Sequence, residues 1–274
     1  AALNNGKHVV TANKALMAQH GHKLAKLAEN KGLSLKFEAA VAGGIPAIKT
    51  LNESLAGNEI KRLMGVMNGT CNYILTRMEN ANLSYEKVFN EAKDLGYLEA
   101  DPSLDVGGID AGHKLAILSS IAFGTEIDFN SIYLQGIESI TIQDIDQAKQ
   151  LGYRIKLLGV SQKTENGLEQ RMQPCLVPAN SSIGQLENAM NMVIYEGDNS
   201  GQITLSGAGA GEGPTASSVL SDIIDLARGN KVPTFGKPVT ELVKAIPTSI
   251  PAPGAYYVRT KLKDSPGVLA KMAS

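Results

Sequence analysis

Hydrophobic and polar positions along the chain alternate between strand and helical spacing. Lys7-His8-Val9-Val10-Thr11 is a short β-branched run, and after it Leu16, Leu24, Leu27 and Ala28 recur at helical spacing until Gly32 stops the pattern. Leu33 to Glu38 then alternates as a strand. Strand, helix and strand in roughly thirty residues make a βαβ unit, whose right-handed crossover sets the two strands parallel. Past Gly43-Gly44-Ile45-Pro46 the pattern predicts a helix, a strand over Ile60 to Met67, and a helix containing Tyr73 to Met78 after Asn68-Gly69-Thr70. Ser84 is the expected cap of a helix running to Leu95 and closed by Gly96. A loop rich in Gly, Asp and Pro, Gly96 to Gly108, leads into an apolar helix from about Ile109 to Phe123, with Gly124 at its end.

From about 134 to 206 the period shortens to two. Strands are predicted at Arg154 to Ser161, Leu168 to Val177, Met190 to Glu196 and Gln202 to Ser206, with one helix around Asp144 to Leu151. That is an antiparallel sheet with helices on one side. Ser206 to Pro214 leads into a helix from Thr215 to Arg228, and the Pro-rich stretch Pro247 to Pro253 suggests a domain boundary near 250. The fold class is therefore α/β joined to α+β, in which a partial parallel sheet precedes a mixed or antiparallel one.

At roughly 150 residues per domain, 274 residues allow one or two domains. Twenty-six Lys and Arg against 27 Asp and Glu leave a net charge of −1, so no general positive field exists to hold a nucleic acid. With 43% hydrophobic and 19% charged residues the chain has the balance of a packed protein. No apolar run is long enough to span a bilayer. Cys71 and Cys175 are too few for a disulfide framework and lack the CxxC spacing of a zinc site, which fits a reducing, cytoplasmic setting. The first residues carry no signal-peptide pattern, Asn5-Gly6 reads as the C-terminal cap of a helix, and Val268 to Ser274 reads as a helix cut after its first turns. The expectation is a segment of a longer protein, with little cofactor affinity on its own, since neither GxGxxG nor GxxxxGK precedes the βαβ unit.

Four carboxylates and a lysine crowd the stretch from Gly96 to Lys114, namely Glu99, Asp101, Asp105, Asp110 and Lys114. Asp110 and Lys114 share a helix face surrounded by Leu115, Ile117, Leu118 and Ile121. Burial lowers the proton affinity of an ammonium and a neighbouring carboxylate raises it, which is how a proton donor is poised; a solvated i, i+4 ion pair is the plainer alternative. Thr11-Ala12-Asn13-Lys14 lies where a parallel strand ends, the usual ligand position in open α/β sheets. Glycines at alternate positions from Gly207 to Gly213, before a helix N-terminus, suit either an anion or a tight turn. Glu38 to Ile45 turns through small residues whose carbonyls, with Glu38, suit a hard cation or simply a helix turn. His113 has no partner pattern and reads as structural.

Taken together, Val9 to Lys14, Glu38 to Pro46, Asn68-Gly69-Thr70-Cys71-Asn72-Tyr73-Ile74, Gly96-Tyr97-Leu98-Glu99-Ala100-Asp101-Pro102 with Asp105, Asp110 and Lys114, and Gly207 to Ala216 resemble homoserine dehydrogenase. Tyr257-Val258-Arg259 through Asp264-Ser265-Pro266-Gly267 resembles the opening of an ACT regulatory domain. The resemblance covers nearly the whole chain and implies NAD(P)-dependent interconversion of L-homoserine and L-aspartate 4-semialdehyde, towards threonine, methionine and isoleucine. It implies that Lys114 donates the proton, that Asp105 and Lys14 act beside it, and that Glu99, Asp110, Tyr97 and Lys14 bind substrate. Lys14, Gly96, Glu99 and Gly211 would lie at the NAD or NADP cofactor, and Glu38, Val41, Gly43 and Ile45 would hold a monovalent cation, sodium in the family pattern. It divides the chain into 1–40, the rear of a Rossmann-type nucleotide-binding domain; 41–230, the catalytic and dimerisation domain; 231–250, a return and linker; and 251–274, the start of the ACT domain. A homodimer or higher homo-oligomer is expected, with no nucleic-acid or membrane partner. Two other readings remain: a semialdehyde dehydrogenase, which needs a cysteine nucleophile where Cys71 has no base beside it, and a non-catalytic amino-acid-sensing module.

Overall fold

The computed structural model describes residues 1–99, 101–250, 253–262, 265 and 267–273. Ala100 of the signature stretch, Pro251 and Ala252 of the linker, and Lys263, Asp264 and Pro266 of the ACT-like opening lie outside the described residues.

The chain begins with a short turn, Leu3–Asn5, closed by left-handed Gly6, and strand β1, Val9–Val10. Helix α1, Lys14–Asn30, starts where Asn13 Oδ1 accepts the Leu16 N–H at 2.9 Å. Strand β2, Leu35–Lys36, lies parallel to β1 with Val9 opposite Leu35. The strand is shorter than the alternation predicted, because Glu38–Ala40 coils into a 3₁₀ turn. Helix α2, Ala47–Lys49, continues into a π turn, Thr50–Ser54, and is followed by strand β3, Ile60–Val66.

Helix α3, Gly69–Ala81, is capped by Asn68. Helix α4, Tyr85–Asp94, starts at Ser84, whose hydroxyl does not make the expected capping bond. The short helix α5, Pro102–Val106, has Asp101 as its cap and Pro at the first turn. Helix α6, Ile109–Phe123, is mostly apolar, apart from its Asp110 and Lys114 face, and buried around most of its circumference: Leu115, Ile117 and Leu118 are fully enclosed. Left-handed Gly124 ends it.

Strand β4, Tyr133–Leu134, and helix α7, Ile142–Gln150, with a Thr141/Asp144 capping box, precede the long strands. These are β5, Tyr153–Thr164; β6, Gly167–Pro178; β7, Met190–Gly197; and β8, Gly201–Ala208. Helix α8, Glu212–Ala227, follows the glycine loop, and helix α9, Val268–Ala273, lies near the end.

The sheet corrects one expectation. Its order is β4-β6-β5-β3-β7-β8, so β3 separates the β5–β6 hairpin from the β7–β8 hairpin, and β4 pairs parallel with β6 at the edge. The sheet is mixed, and the strand that holds it together comes from far upstream. Alternation along β3, β5 and β7 puts Leu63, Leu157, Val193 and Tyr195 in the main core, towards α3, α6 and α7. The opposite residues Met64, Val66, Leu158, Val160, Met192 and Ile194 form a second apolar layer under Ile183 and Leu186. That outer face also borders a cleft of about 670 Å³ reached by Arg62, Arg171, Cys175 and Tyr256.

The stretch after α8 runs back to the first residues. Phe235 packs on Phe37 with ring centres 5.6 Å apart, the Val239 N–H donates to Glu29 Oε2 at 2.9 Å, and Val243 bridges to Thr125. The later segment lies on α7, where Tyr257 and Arg259 both meet the Asp144 carboxylate at 3.0 Å.

Candidate active site

The corner between β3 and α3, the loop before α5, the start of α6 and the start of α1 converge on one polar cluster. Asp110 stands at its centre, 4% exposed, in the first turn of α6. Its Oδ2 takes Lys114 Nζ at 2.8 Å, one helical turn on, and its Oδ1 takes Lys14 Nζ at 2.6 Å. Lys14 also reaches Glu99 Oε1 at 3.1 Å. Lys114 donates a second bond to the Met67 carbonyl at 2.8 Å. An ammonium has three N–H groups, so one on Lys114 has no partner among the described residues.

Asp105 is tied in from the other side. It accepts the Glu99 N–H at 3.0 Å and an N–H of Asn68 Nδ2 at 2.9 Å, and the same Nδ2 donates to Asp110 Oδ2 at 3.1 Å. The link from Asp105 to Lys114 therefore runs through Asn68 and Asp110. Asn68 was not among the residues singled out for chemistry. Its place directly before a helix, where Asn is a favoured cap, was the available signal.

Lys14, Lys114, Glu99, Asp105 and Asp110 thus meet in one place, two lysines against three carboxylates with an excess of one negative charge, whereas Asp101 binds Ser103 as the cap of α5. Burial opposes ionisation of Asp110, but the two ammonium groups outweigh it and hold its carboxyl down at about 2. Burial raises the Asp105 carboxyl above its ordinary value, against the two hydrogen bonds it accepts. Burial also works against the Lys14 ammonium, yet its two carboxylate neighbours raise its proton affinity overall. The cluster is that of a fixed pair of cations with a negative surplus, suited to a cationic group on a ligand and to proton donation at its oxygen.

The supporting residues hold the loop. Gly96, left-handed at φ 72°, ends α4. Tyr97 stacks edge-on against Tyr73 at 4.9 Å, its carbonyl accepts the Thr70 hydroxyl at 2.8 Å, and its side chain is 44% exposed. His113 sits against Phe129 with ring centres 4.3 Å apart, and burial lowers its proton affinity.

A second group of predicted residues forms a separate polar centre. The Glu38 to Ile45 turn and the Gly207 to Pro214 loop lie against each other: Gly44 N–H donates to the Ala208 carbonyl at 3.1 Å, and a Cβ on Gly43, φ 52°, would meet the Gly209 carbonyl group at 2.6 Å. Gly211 is at the N-terminus of α8 with φ 116°. The Glu38 carboxylate accepts the N–H groups of Ile48 and Lys49 at 2.9 and 2.8 Å, one on each oxygen, closing the N-terminus of α2 and leaving each oxygen a further lone pair. The Gly43 and Ile45 carbonyls accept from Ser218 Oγ and the Ala47 N–H, each with a second lone pair to spare. Among the described residues no three His, Cys, Asp or Glu side chains gather as a metal site. Nor is any helix long and apolar enough to cross a membrane.

Cys71 is fully buried, its Sγ 3.3 Å from the Asp105 carbonyl, and burial pushes its thiol well above the ordinary range. A thiol held protonated is a poor nucleophile, which tells against the semialdehyde dehydrogenase alternative.

Comparison with known proteins agrees with this geometry. The family model for homoserine dehydrogenase matches residues 46–224, and that for the homoserine dehydrogenase NAD binding domain matches residues 1–38. The homoserine dehydrogenase of Pseudomonas aeruginosa is 48% identical over 280 residues, covering 100% of this chain and 64% of that protein. A crystal structure of a homoserine dehydrogenase from Thiobacillus denitrificans superposes with a TM-score of 0.84 at 47% identity, over 88% of this chain and 57% of that one. A hyperthermophilic archaeal homoserine dehydrogenase in complex with NADPH superposes at 0.73 with 31% identity, over 84% and 67% of the two chains. The chain spans about 64% of the length of the curated relatives it matches. A lysine and carboxylate cluster at a strand-to-helix corner, a Rossmann-type α/β fold with a mixed sheet, and a family model covering residues 46–224 lead to one conclusion: the chain belongs to the homoserine dehydrogenase family.

Proposed function

We propose that the protein of which this chain is part oxidises L-homoserine to L-aspartate 4-semialdehyde, and runs the reverse reduction, with NAD or NADP. The observation that carries this reading is the Asp110–Lys114 pair, buried at 4% and 8% exposure, with Lys14 on the second oxygen of Asp110. In the reducing direction negative charge builds on the carbonyl oxygen as hydride arrives. Lys114 would offer its spare N–H to that oxygen and then its proton. Lys14 supplies the second positive charge. Glu99, partly exposed beside Lys14, and Asp110 would hold the ammonium of the substrate, with Tyr97 at the rim. Asp105 takes its part through Asn68, fixing the loop that carries Glu99.

The nicotinamide cofactor supplies the hydride acceptor when bound. Gly96, Glu99, Lys14 and Gly211 are the residues assigned to its approach; the open left-handed turns at Gly96 and Gly211 put no side chain in the way. A monovalent cation, sodium by family resemblance, would rest on Glu38 with the carbonyls of Val41, Gly43 and Ile45. The division at 1–40, 41–230, 231–250 and 251–274, a cytoplasmic setting, a homodimer or higher homo-oligomer, and a role leading to threonine, methionine and isoleucine belong to the same reading.

The test is turnover by the full-length protein. L-homoserine with NAD⁺ or NADP⁺ should give reduced cofactor, and L-serine, one methylene shorter, should be a far poorer substrate. No homoserine-dependent reduction of either cofactor would end the proposal.

A further inference from the structure

We propose that Asn68 is the positioning residue of this site, holding Asp105 and Asp110 side by side so that Asp110 keeps one oxygen on Lys114 and the other on Lys14. The inference rests on the functional reading above and deepens it. Asn68 is 3% exposed, at the corner where β3 gives way to α3. Its amide oxygen and both of its side-chain N–H groups are engaged. Oδ1 accepts the Cys71 N–H at 2.8 Å, and the two N–H groups of Nδ2 go to Asp105 Oδ1 at 2.9 Å and Asp110 Oδ2 at 3.1 Å. With an N–H on one side and two carboxylates on the other, only this orientation of the amide has donors facing acceptors throughout.

The corner grips both halves of the ion pair. Met67, fully buried, takes Lys114 on its carbonyl at 2.8 Å, and the next residue takes Asp110 on its amide. Two carboxylates sharing a pocket repel one another and tend to share a proton. Here a neutral double donor stands between them and lets both remain charged. Asp cannot replace it, for its carboxylate has no hydrogen to give, although it caps a helix as well as Asn does. Ser keeps the cap with a single donor. Ala loses cap and donors together. This series separates a helix-capping role from a positioning role.

The experiment uses the full-length protein, with Asn68→Asp, Asn68→Ser and Asn68→Ala. Asn68→Asp retains the cap of α3, so its melting temperature at pH 6 should stay close to wild type, while kcat at pH 8 should fall about 10²-fold, the cost of a reacting group misplaced by about an ångström. KM for homoserine should rise as well, since Asp110 and the loop that carries Glu99 are both held through Asn68. As pH falls from 8 towards 6, the crowded carboxylates of Asn68→Asp take up a proton, a donor reappears between Asp105 and Asp110, and kcat relative to wild type should recover. Carboxyl NMR titration of Asn68→Ala should show Asp105 and Asp110 protonating at higher pH than in wild type. An Asn68→Asp enzyme within twofold of wild-type kcat at pH 8, or a loss that does not vary with pH and tracks a matching loss of melting temperature, would overturn the proposal. So would unchanged carboxyl titrations in Asn68→Ala. Those titrations need no turnover: a wild-type protein inactive on homoserine would remove the functional reading, while the titrations would still decide the placement of the carboxylates by Asn68.

Discussion

Asp110→Asn removes the charge at the centre of the cluster while keeping nearly the same volume. The carboxyl is held at about 2 against 3.8 for a free Asp, and at about 1.4 kcal/mol for each factor of ten in proton affinity its charged form is favoured by about 2.5 kcal/mol. That counts only the preference of the carboxylate itself. The variant also leaves Lys114, 8% exposed, with the Met67 carbonyl but no counter-ion, and removal of one partner from a buried pair costs about 3–5 kcal/mol. The expected loss is therefore about 3 kcal/mol near neutral pH. The sign with pH follows from the depressed value: stability from Asp110 is fully present above the unfolded value of 3.8 and disappears as pH falls through about 2. Urea unfolding of wild type and variant should show a constant gap between pH 5 and 8 that narrows below pH 4. A gap under about 0.5 kcal/mol at pH 7, the ordinary scatter of surface substitutions, would mean that the ion pair is not the buried contact described here.

Three further outcomes follow from other residues. Gly43→Ala forces a left-handed alanine against the Gly209 carbonyl group at 2.6 Å and should cost about 3 kcal/mol by chemical unfolding, whereas Gly6→Ala, left-handed but with open space around it, should cost about 1; equal costs would refute the close contact of the two loops. Lys156, 1% exposed and bonded to Asn72 Oδ1 and the Leu186 carbonyl, is pulled by burial from 10.5 to about 8, with Arg154 adding to the fall and Glu79 and Glu187 opposing it. The folded state thus sheds this proton first, so wild type should gain up to about 3 kcal/mol over Lys156→Met as pH rises from 7 to 10.5; a gap independent of pH would contradict it. Glu99→Gln should raise KM for homoserine by about tenfold, the loss of roughly one charge-assisted contact, with kcat less affected, and an unchanged KM would take Glu99 out of substrate binding.

Local pattern made much of this legible. Asp110 and Lys114 are one turn apart on a helix whose other faces are apolar, so their pairing could be read directly, while spacing alone left a solvated pair as the plainer alternative to the buried one found here. Lys14, at the end of a parallel strand, and the carboxylate-rich loop were chemically conspicuous. What sequence spacing left out depends on residues distant in the chain. Strand β3 is separated from its partners β5 and β7 by a long stretch that contains, among the described residues, the five helices α3 to α7, and alternation says which residues face inward but not which strand lies beside them. Asn68 is an ordinary helix cap until α5 and α6 bring Asp105 and Asp110 to it. The role of Glu38 at the start of α2 is hidden for the same reason, since the N–H groups that it accepts are ten and eleven residues further on.

The central claim is that Lys114 transfers the proton in the reaction. Its most direct test is the steady-state rate of the full-length Lys114→Ala protein with homoserine and its preferred cofactor, alongside cofactor affinity measured by fluorescence. The account predicts that kcat falls about 10²–10⁴-fold, the range for loss of a general acid, with cofactor affinity unchanged. A variant within threefold of wild-type kcat would contradict it.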